Sequence, residues 1–352
     1  MPFTHTPYAG ATRPFTIGLS ALDPQRWIEP DTTLGRYLTE KQELARNRLG
    51  DVFRATDDSL EAQRECLAAL VAHLEERQPE LYRRKHQTIH VAGHAVDLAD
   101  EAIPPLLRAG MLVQDDLVIM MKREAGWSIA AAHLSFPSSW SLAEKFDRPI
   151  EAVHEHVPGF QGGTRNAVMI NRIFDNLAPG LPAERFNWSI NWRQKLFHPE
   201  TGRNDAAEPG EAVVRVERQT LTKLPETGAI VFTIRIYLDP VTAFRNHPEG
   251  LRLRAALAEQ LDRIQGVTRL GLTPETLARY RERETTIEVL YAQPLRLRGA
   301  LDLGRPTRLL IPLSGPYSDL NVVFPGDGDA LWAGALRVES TAVFRAIVAR
   351  LP

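Results

Sequence analysis

Only one cysteine, Cys66, occurs among 352 residues. A single thiol excludes an internal disulfide, a cysteine-based zinc site and a cysteine-ligated iron–sulfur cluster within this chain. Charge of one sign is missing as well: 42 basic and 44 acidic residues leave a formal net charge of −2. Such a balance gives no general attraction to nucleic acid or to an anionic membrane. Long hydrophobic runs are absent, and segments such as Leu117–Met121 are far too short to span a bilayer. The opening Met1–Tyr8 has neither a basic nor an apolar signal region, so export is not expected and a cytoplasmic protein is the default. There is no Gly-rich phosphate loop, no G-x-G-x-x-G after a strand, no H-E-x-x-H and no G-x-S-x-G. Redox chemistry would therefore have to draw on a cofactor or a partner.

What is present reads as a folded chain. Hydrophobic residues make up 43% and charged residues 24%, close to globular averages, so large-scale disorder is not expected. Residues 1–30, rich in Pro, Thr and aromatics, read as an extended arm laid over another surface. Helices are predicted at 36–49 and 58–76, the second opened by Asp58 with Glu61 three residues on, an acidic variant of the capping box. Cys66 borders the apolar stripe Leu60, Leu67, Leu70, Val71 and Leu74, which assigns it to packing. Pro104-Pro105 breaks the chain. Strands are then expected at Leu117–Met121 and Trp127–His133, joined by the polar turn 122–126. Ser141 and Glu144 form an S-x-x-E cap, and Pro149 suits the first turn of a short helix. Ala212–Leu221 and Ala229–Leu238 read as an antiparallel pair, with Ile230, Phe232, Ile234 and Ile236 alternating in a period of two. A helix follows at about 249–265 and another opens at Pro274. Residues 286–338 turn strand-rich, and a short helix closes at 340–350. A boundary near 285 would divide a main domain, 1–285, from a C-terminal extension, 286–352.

His154 shares a helical face with Ile150 and Val153. An imidazole turned towards an apolar interior must be neutral and hydrogen-bonded. Two readings fit: a core histidine bonded to a carbonyl, or the proximal ligand of a haem iron, which needs neutral imidazole. His154-Glu155-His156 resembles a metal pair, but ligands two apart share a face only on a strand.

Seven segments, in order from about residue 15 to about 245, carry a resemblance. They are Val113–Leu117, Phe136–Trp140, Leu142–Lys145, Val153–Gly159, Phe186–Ser189, Val216–Leu221 and Phe232–Arg235. Together they resemble the α subunits of the haem-dependent oxidative N-demethylases. The resemblance implies an α+β fold: a PAS-like antiparallel sheet with helices enclosing haem b, a helical N-terminal extension and a small C-terminal α/β extension. It implies oxidative demethylation of a small secondary amine such as dimethylamine with O2, releasing formaldehyde or handing the carbon to folate. NADPH, flavin and iron–sulfur cluster would sit on partner subunits only: a reductase, with a folate-binding subunit as a further candidate. Two positions depart from the pattern. His156 stands where Pro is usual, and Ser135 where Cys is common, so the chemistry does not depend on a thiolate there.

On this reading His154 is the axial ligand, with His156 as the competing choice. Non-covalent haem is expected, because the C-x-x-C-H attachment motif is absent. Phe136, Trp140 and Trp188 are candidate walls, against the alternative that they are ordinary core aromatics. Arg218 shares a strand face with Val214 and Val216; a buried guanidinium there needs an anion, either a haem propionate or a protein carboxylate such as Glu217 or Asp116. A protonated amine substrate also needs a carboxylate, and Asp115, Asp116 and Glu217 are the candidates. The preferred arrangement puts Arg218 at the haem edge and an acid of Gln114–Asp116 at the amine. The rival class is a haem-binding PAS-like sensor or carrier, although residues 286–352 show no kinase, helix-turn-helix or coiled-coil output signal.

Overall fold

Two hairpin-forming segments with a period of two build the centre of the molecule. The computed structural model describes residues 3–10, 17–138, 140–153, 164–191, 194–199, 213–267, 308–310, 319–325 and 331–337. The chain runs through β1 (Ser20–Ala21), α1 (Leu34–Val52), β2 (Phe53–Ala55) and α2 (Leu60–Arg77). A small antiparallel sheet follows, made of β3 (Arg83–Lys85), β4 (Thr88–Val91) and β5 (His94–Asp97). Gly93, with φ of +84°, takes the left-handed position of the β4–β5 turn. After α3 (Pro105–Gly110) comes the hairpin β6 (Asp116–Arg123) and β7 (Gly126–His133). Helices α4 (Leu142–Lys145), α5 (Ile150–Val153) and α6 (Arg165–Asn176) lead to β8 (Ala183–Asn191), β9 (Val213–Lys223), β10 (Ile230–Pro240) and α7 (Gly250–Val267). Strands β11 (Arg308–Leu310), β12 (Asp319–Pro325) and β13 (Leu331–Arg337) form a further antiparallel sheet. The class is α+β, a mixed assembly of helices and antiparallel sheet.

The main sheet has seven strands in the order β1-β8-β9-β10-β6-β7-β2. The hairpin β6–β7 forms locally, the chain crosses through α4–α6, and the meander β8–β9–β10 returns so that its last strand pairs with β6. Side-chain alternation then sorts every residue of these strands to one of two faces. On one face, Leu117, Ile119 and Val231 pack against Leu67, Leu70 and Val71 of α2 and Leu106 of α3. The arm covers the far end of that face: Phe3 and Tyr8 pack with Trp188, Val214, Val216 and Tyr237. On the other face, Val118, Met120, Leu221, Ile230, Ile234 and Ile236 meet Leu142, Ile150 and Phe174 of α4, α5 and α6. Each large apolar side chain withdrawn in this way contributes about 1.5–3 kcal/mol. The two faces are called here the N-terminal face and the helix face.

Both expected strand pairs form, as do the helices expected at 36–49, 58–76 and 249–265 and the capping box of Ser141 and Glu144. The Asp58–Glu61 cap does not. A 3-10 turn, Asp57–Ser59, precedes α2. Asp58 instead accepts from Arg123 (2.8 Å) and Thr56, while Glu61 pairs with Arg64. Pro105 starts α3 rather than ending order, because the first helical position needs no N–H donor. Cys66 is fully buried in the α2 stripe, and burial pushes its thiol up to about 12. No helix among the described residues is long and apolar enough to cross a membrane. The helices expected after Pro274 and at 340–350 lie outside the described residues.

Gly110 closes α3 directly beneath the His133 ring of β7. A Cβ built there would stand 1.8 Å from His133 Nδ1. Gly110→Ala should therefore lose at least the roughly 1–3 kcal/mol typical of overpacking, despite alanine's better helix propensity. The same change in a His133→Ala background should cost much less. Urea denaturation of the four proteins measures the coupling, and equal costs in both backgrounds would contradict the contact.

Candidate functional site

Polar residues are concentrated where β6 begins, and they fall into three groups. The first is centred on Lys41 of α1, which has no solvent exposure. Its ammonium donates to the backbone carbonyls of Gly110 (3.1 Å) and Asp115, and stands 4.0 Å from Asp116 Oδ1. Asp116 accepts from the backbone N–H groups of Ser135 (2.8 Å) and Phe136 (2.9 Å). His133 Nε2 and Ser135 Oγ are 3.1 Å apart, and His133 Nδ1 has no partner. Burial lowers the pKa of Lys41 and His133 and raises that of Asp116. The Asp116 carboxylate is thus committed to holding the turn that carries Phe136.

The second group lies on the N-terminal face. Arg218 is buried and bonded entirely to protein: Glu184 at 3.1 Å, Glu29 at 3.5 Å, and the carbonyls of Trp27 (3.1 Å) and Arg26 (2.6 Å). Its anions are Glu184 and Glu29, not Glu217 or Asp116. Arg235, opposite Arg218 in the ladder, pairs with Asp31 at 2.7 Å. Asp115 is buried with neither carboxylate oxygen hydrogen-bonded, and burial raises its pKa. Trp188 faces Val216 across the β8–β9 ladder and packs edge-on to Tyr8 with ring centroids 5.9 Å apart. The structure therefore does not bring Trp188 and Arg218 together with Phe136 and Trp140. Strand parity places the sheet between them.

The third group lies on the helix face. Phe136 and Trp140 join the core formed with α4, α5 and α6, where Trp140, Phe146, Val153, Ile170 and Phe232 are half-buried. Glu217 belongs here, one residue from Arg218 and on the opposite side of β9. Its Oε1 accepts from Arg215 (3.1 Å) and its Oε2 from Gln219 (3.0 Å). Arg215 also donates to the carbonyl of Phe136 at 2.6 Å. Arg185 of β8 lies opposite Gln219 on this face. Its Nε is buried with no partner among the described residues, and burial lowers its pKa. The Lys145 ammonium stands 4.5 Å above the Trp140 ring, and burial lowers its pKa too. Sequence reading missed both cations. The alternation of Arg185, Asn187 and Ser189 with Phe186 and Trp188 is a strand signal that would have placed Arg185. His154 and His156 lie outside the described residues, immediately after α5.

A family model described as haem-dependent oxidative N-demethylase, alpha subunit-like, matches residues 18–290. The chain belongs to that family. The matched span contains the whole seven-stranded sheet and all three polar groups. Helix α5, which ends immediately before His154, packs on the helix face through Ile150 and Val153.

Two stability effects follow. Lys41→Met leaves Asp116 buried without its cation and should cost about 3–5 kcal/mol in chemical denaturation; a loss below 1 kcal/mol would contradict the role given to Lys41. For Glu29, burial alone would raise the pKa, but His5, Arg218 and Arg26 together hold it down at about 2 from an ordinary 4.5. A depressed carboxylate stabilises the fold above its unfolded value, and that contribution fades as pH falls from about 4.5 towards 2. Glu29→Gln should flatten this limb by on the order of 2 kcal/mol. A stability–pH curve parallel to wild type below pH 4.5 would refute the assignment.

Proposed function

We propose that the protein is a haem-dependent oxidative N-demethylase acting on a small secondary amine with O2, with electrons supplied by a separate reductase subunit. The family match over residues 18–290 carries this reading. The order of the main sheet supports the PAS-like part of it, because a hairpin, a helical crossover and a returning three-strand meander place the last strand beside the first. The residues of the helix face fit a haem. A half-buried aliphatic and aromatic wall suits a flat macrocycle, and the partnerless buried Nε of Arg185 suits its acidic edge. When bound, haem supplies the activation of O2 for oxidation of an N-methyl group.

The chain's own residues do the rest. Phe136 and Trp140 exclude water from the wall, and Arg215 clamps Phe136 through its carbonyl. His154 is the proposed axial ligand, with His156 as the competitor. Among the three acids considered for the amine, Glu217 stands on the helix face, where Arg215 and Gln219 orient it. Asp116 is committed to backbone amides, and Asp115 is across the sheet. This reverses the preference read from the sequence, which set an acid of Gln114–Asp116 against the amine. An ammonium in such surroundings needs a carboxylate to offset its desolvation. The single cysteine agrees with electrons arriving from flavin and iron–sulfur groups held elsewhere.

The purified, haem-supplemented chain should show a Soret band that acid–acetone removes. His154→Ala should lose the haem or change its spin state, and His156→Ala should not. Full loading with an unchanged spectrum in His154→Ala would remove that ligand. Glu217→Gln should raise KM for the amine about a hundredfold, the value of about 2–3 kcal/mol for one charge-assisted contact, while the Soret band stays. Asp115→Asn should leave KM alone. The opposite ranking would return the amine to the N-terminal face.

A further inference from the structure

Four cations around the main sheet are buried, Lys41, Arg215, Arg218 and Arg235, and two more, Arg185 and Lys145, are half-buried. Four of them have clear partners. Lys41 holds two carbonyls, Arg215 holds Glu217 and two carbonyls, Arg218 holds two carboxylates and two carbonyls, and Arg235 holds Asp31. Arg185 and Lys145 are the exceptions. Neither forms an ion pair among the described residues. The acid that acts on both is Glu217; it forms no hydrogen bond with either, being oriented by Arg215, Gln219 and, at 3.5 Å, Asn187, and faces the amine in the proposed function. Glu144, beside Lys145, is committed to the capping box through the backbone N–H of Ser141 at 3.2 Å.

The Arg185 guanidinium is half-buried, but its Nε–H is buried with no acceptor among the described residues, and a buried donor left unmade costs free energy. A fixed planar fork of N–H donors matches a carboxylate, and an ammonium on a flexible stem completes a second pairing as a point charge. Both cations lie on the helix face, Arg185 from β8 and Lys145 from α4, on the same side as the half-buried wall of Trp140, Val153, Ile170 and Phe232. Both are within electrostatic reach of Glu217, so a ligand lying against the wall beside that residue would present its acidic groups to both.

We infer that Arg185 and Lys145 form the anionic subsite of the helix face and receive the two propionate carboxylates of the haem. This rests on the proposed haem-binding function and assigns it two residues in place of Arg218. Arg218 is already saturated and lies across the sheet. The Lys145 position over Trp140 also fixes how the subsite is built, because the ring holds the ammonium at the wall through a cation–π contact.

The test is a Soret titration of wild type, Arg185→Gln, Lys145→Gln, the double variant and Arg185→Lys, each with haem b and with haem b dimethyl ester. Far-UV circular dichroism and thermal midpoint check that each variant folds. Wild type should bind haem about a hundredfold more tightly than the ester, each single variant should lose about tenfold for haem, and none should change for the ester. Arg185→Lys should recover part of the loss. Variants that bind haem as tightly as wild type overturn the assignment. So do variants that lose haem and ester equally, since that marks a structural role. Wild type that binds neither compound overturns the haem reading itself, and so separates the two failures.

Discussion

The Lys41 ammonium, with no water around it, holds the start of β6 to α1 and α3. It bonds the last carbonyl of α3, the carbonyl of Asp115 and, at 4.0 Å, the Asp116 carboxylate. Asp116 passes the constraint on, because both its oxygens take backbone amides of the Ser135–Phe136 turn. Three segments far apart in sequence are thereby fixed together by one cation. Removing charge from water in this way is unfavourable unless every donor and acceptor is satisfied. The geometry of Lys41, Gly110, Asp116 and the turn therefore tolerates little change. The hairpin, and with it the direction in which the chain leaves towards α4 and α5, is set from this point.

The sheet divides the molecule's chemistry. On the N-terminal face the arginines are paired internally, Arg218 with Glu184 and Glu29 and Arg235 with Asp31, while the buried Asp115 carboxylate has no hydrogen bond among the described residues. That side is a support, sealed by the arm through Phe3 and Tyr8, with Phe3 stacked on Phe244 at 4.4 Å. On the helix face the Arg185 Nε has no acceptor among the described residues, and Trp140, Phe146, Val153, Ile170 and Phe232 are half-buried beside a fully buried core. Incomplete pairing beside incomplete burial is where a ligand's own groups would restore the balance.

Much of the local structure was legible in residues. Ile230, Phe232, Ile234 and Ile236 announce β10 and its two faces, and Ser141 with Glu144 announces α4. The alternation that separates Glu217 from Arg218 was equally plain. The Asp58 cap failed because Arg123, 65 positions away, takes the carboxylate. No local pattern carries that competitor. Strand β8 is not among the elements expected from sequence, although Arg185, Asn187 and Ser189 alternate with Phe186, Trp188 and Ile190.

By itself, then, the sequence determined the two main hairpins, the helices α1, α2, α4 and α7 and the family, because these depend on neighbours a few residues apart and on motifs in order. Which strand lies beside which, and so which face meets the helices, was decided only by tertiary structure. A period of two says that Glu217 and Arg218 part company, yet it is silent about which of them turns towards α5. That depends on β9 pairing with β8 and β10, on the arm and Trp27 occupying one side, and on Glu29 and Glu184 reaching Arg218 before any other anion. The same long-range packing leaves Arg185 without an ion pair among the described residues, which no pattern of adjacent residues could express.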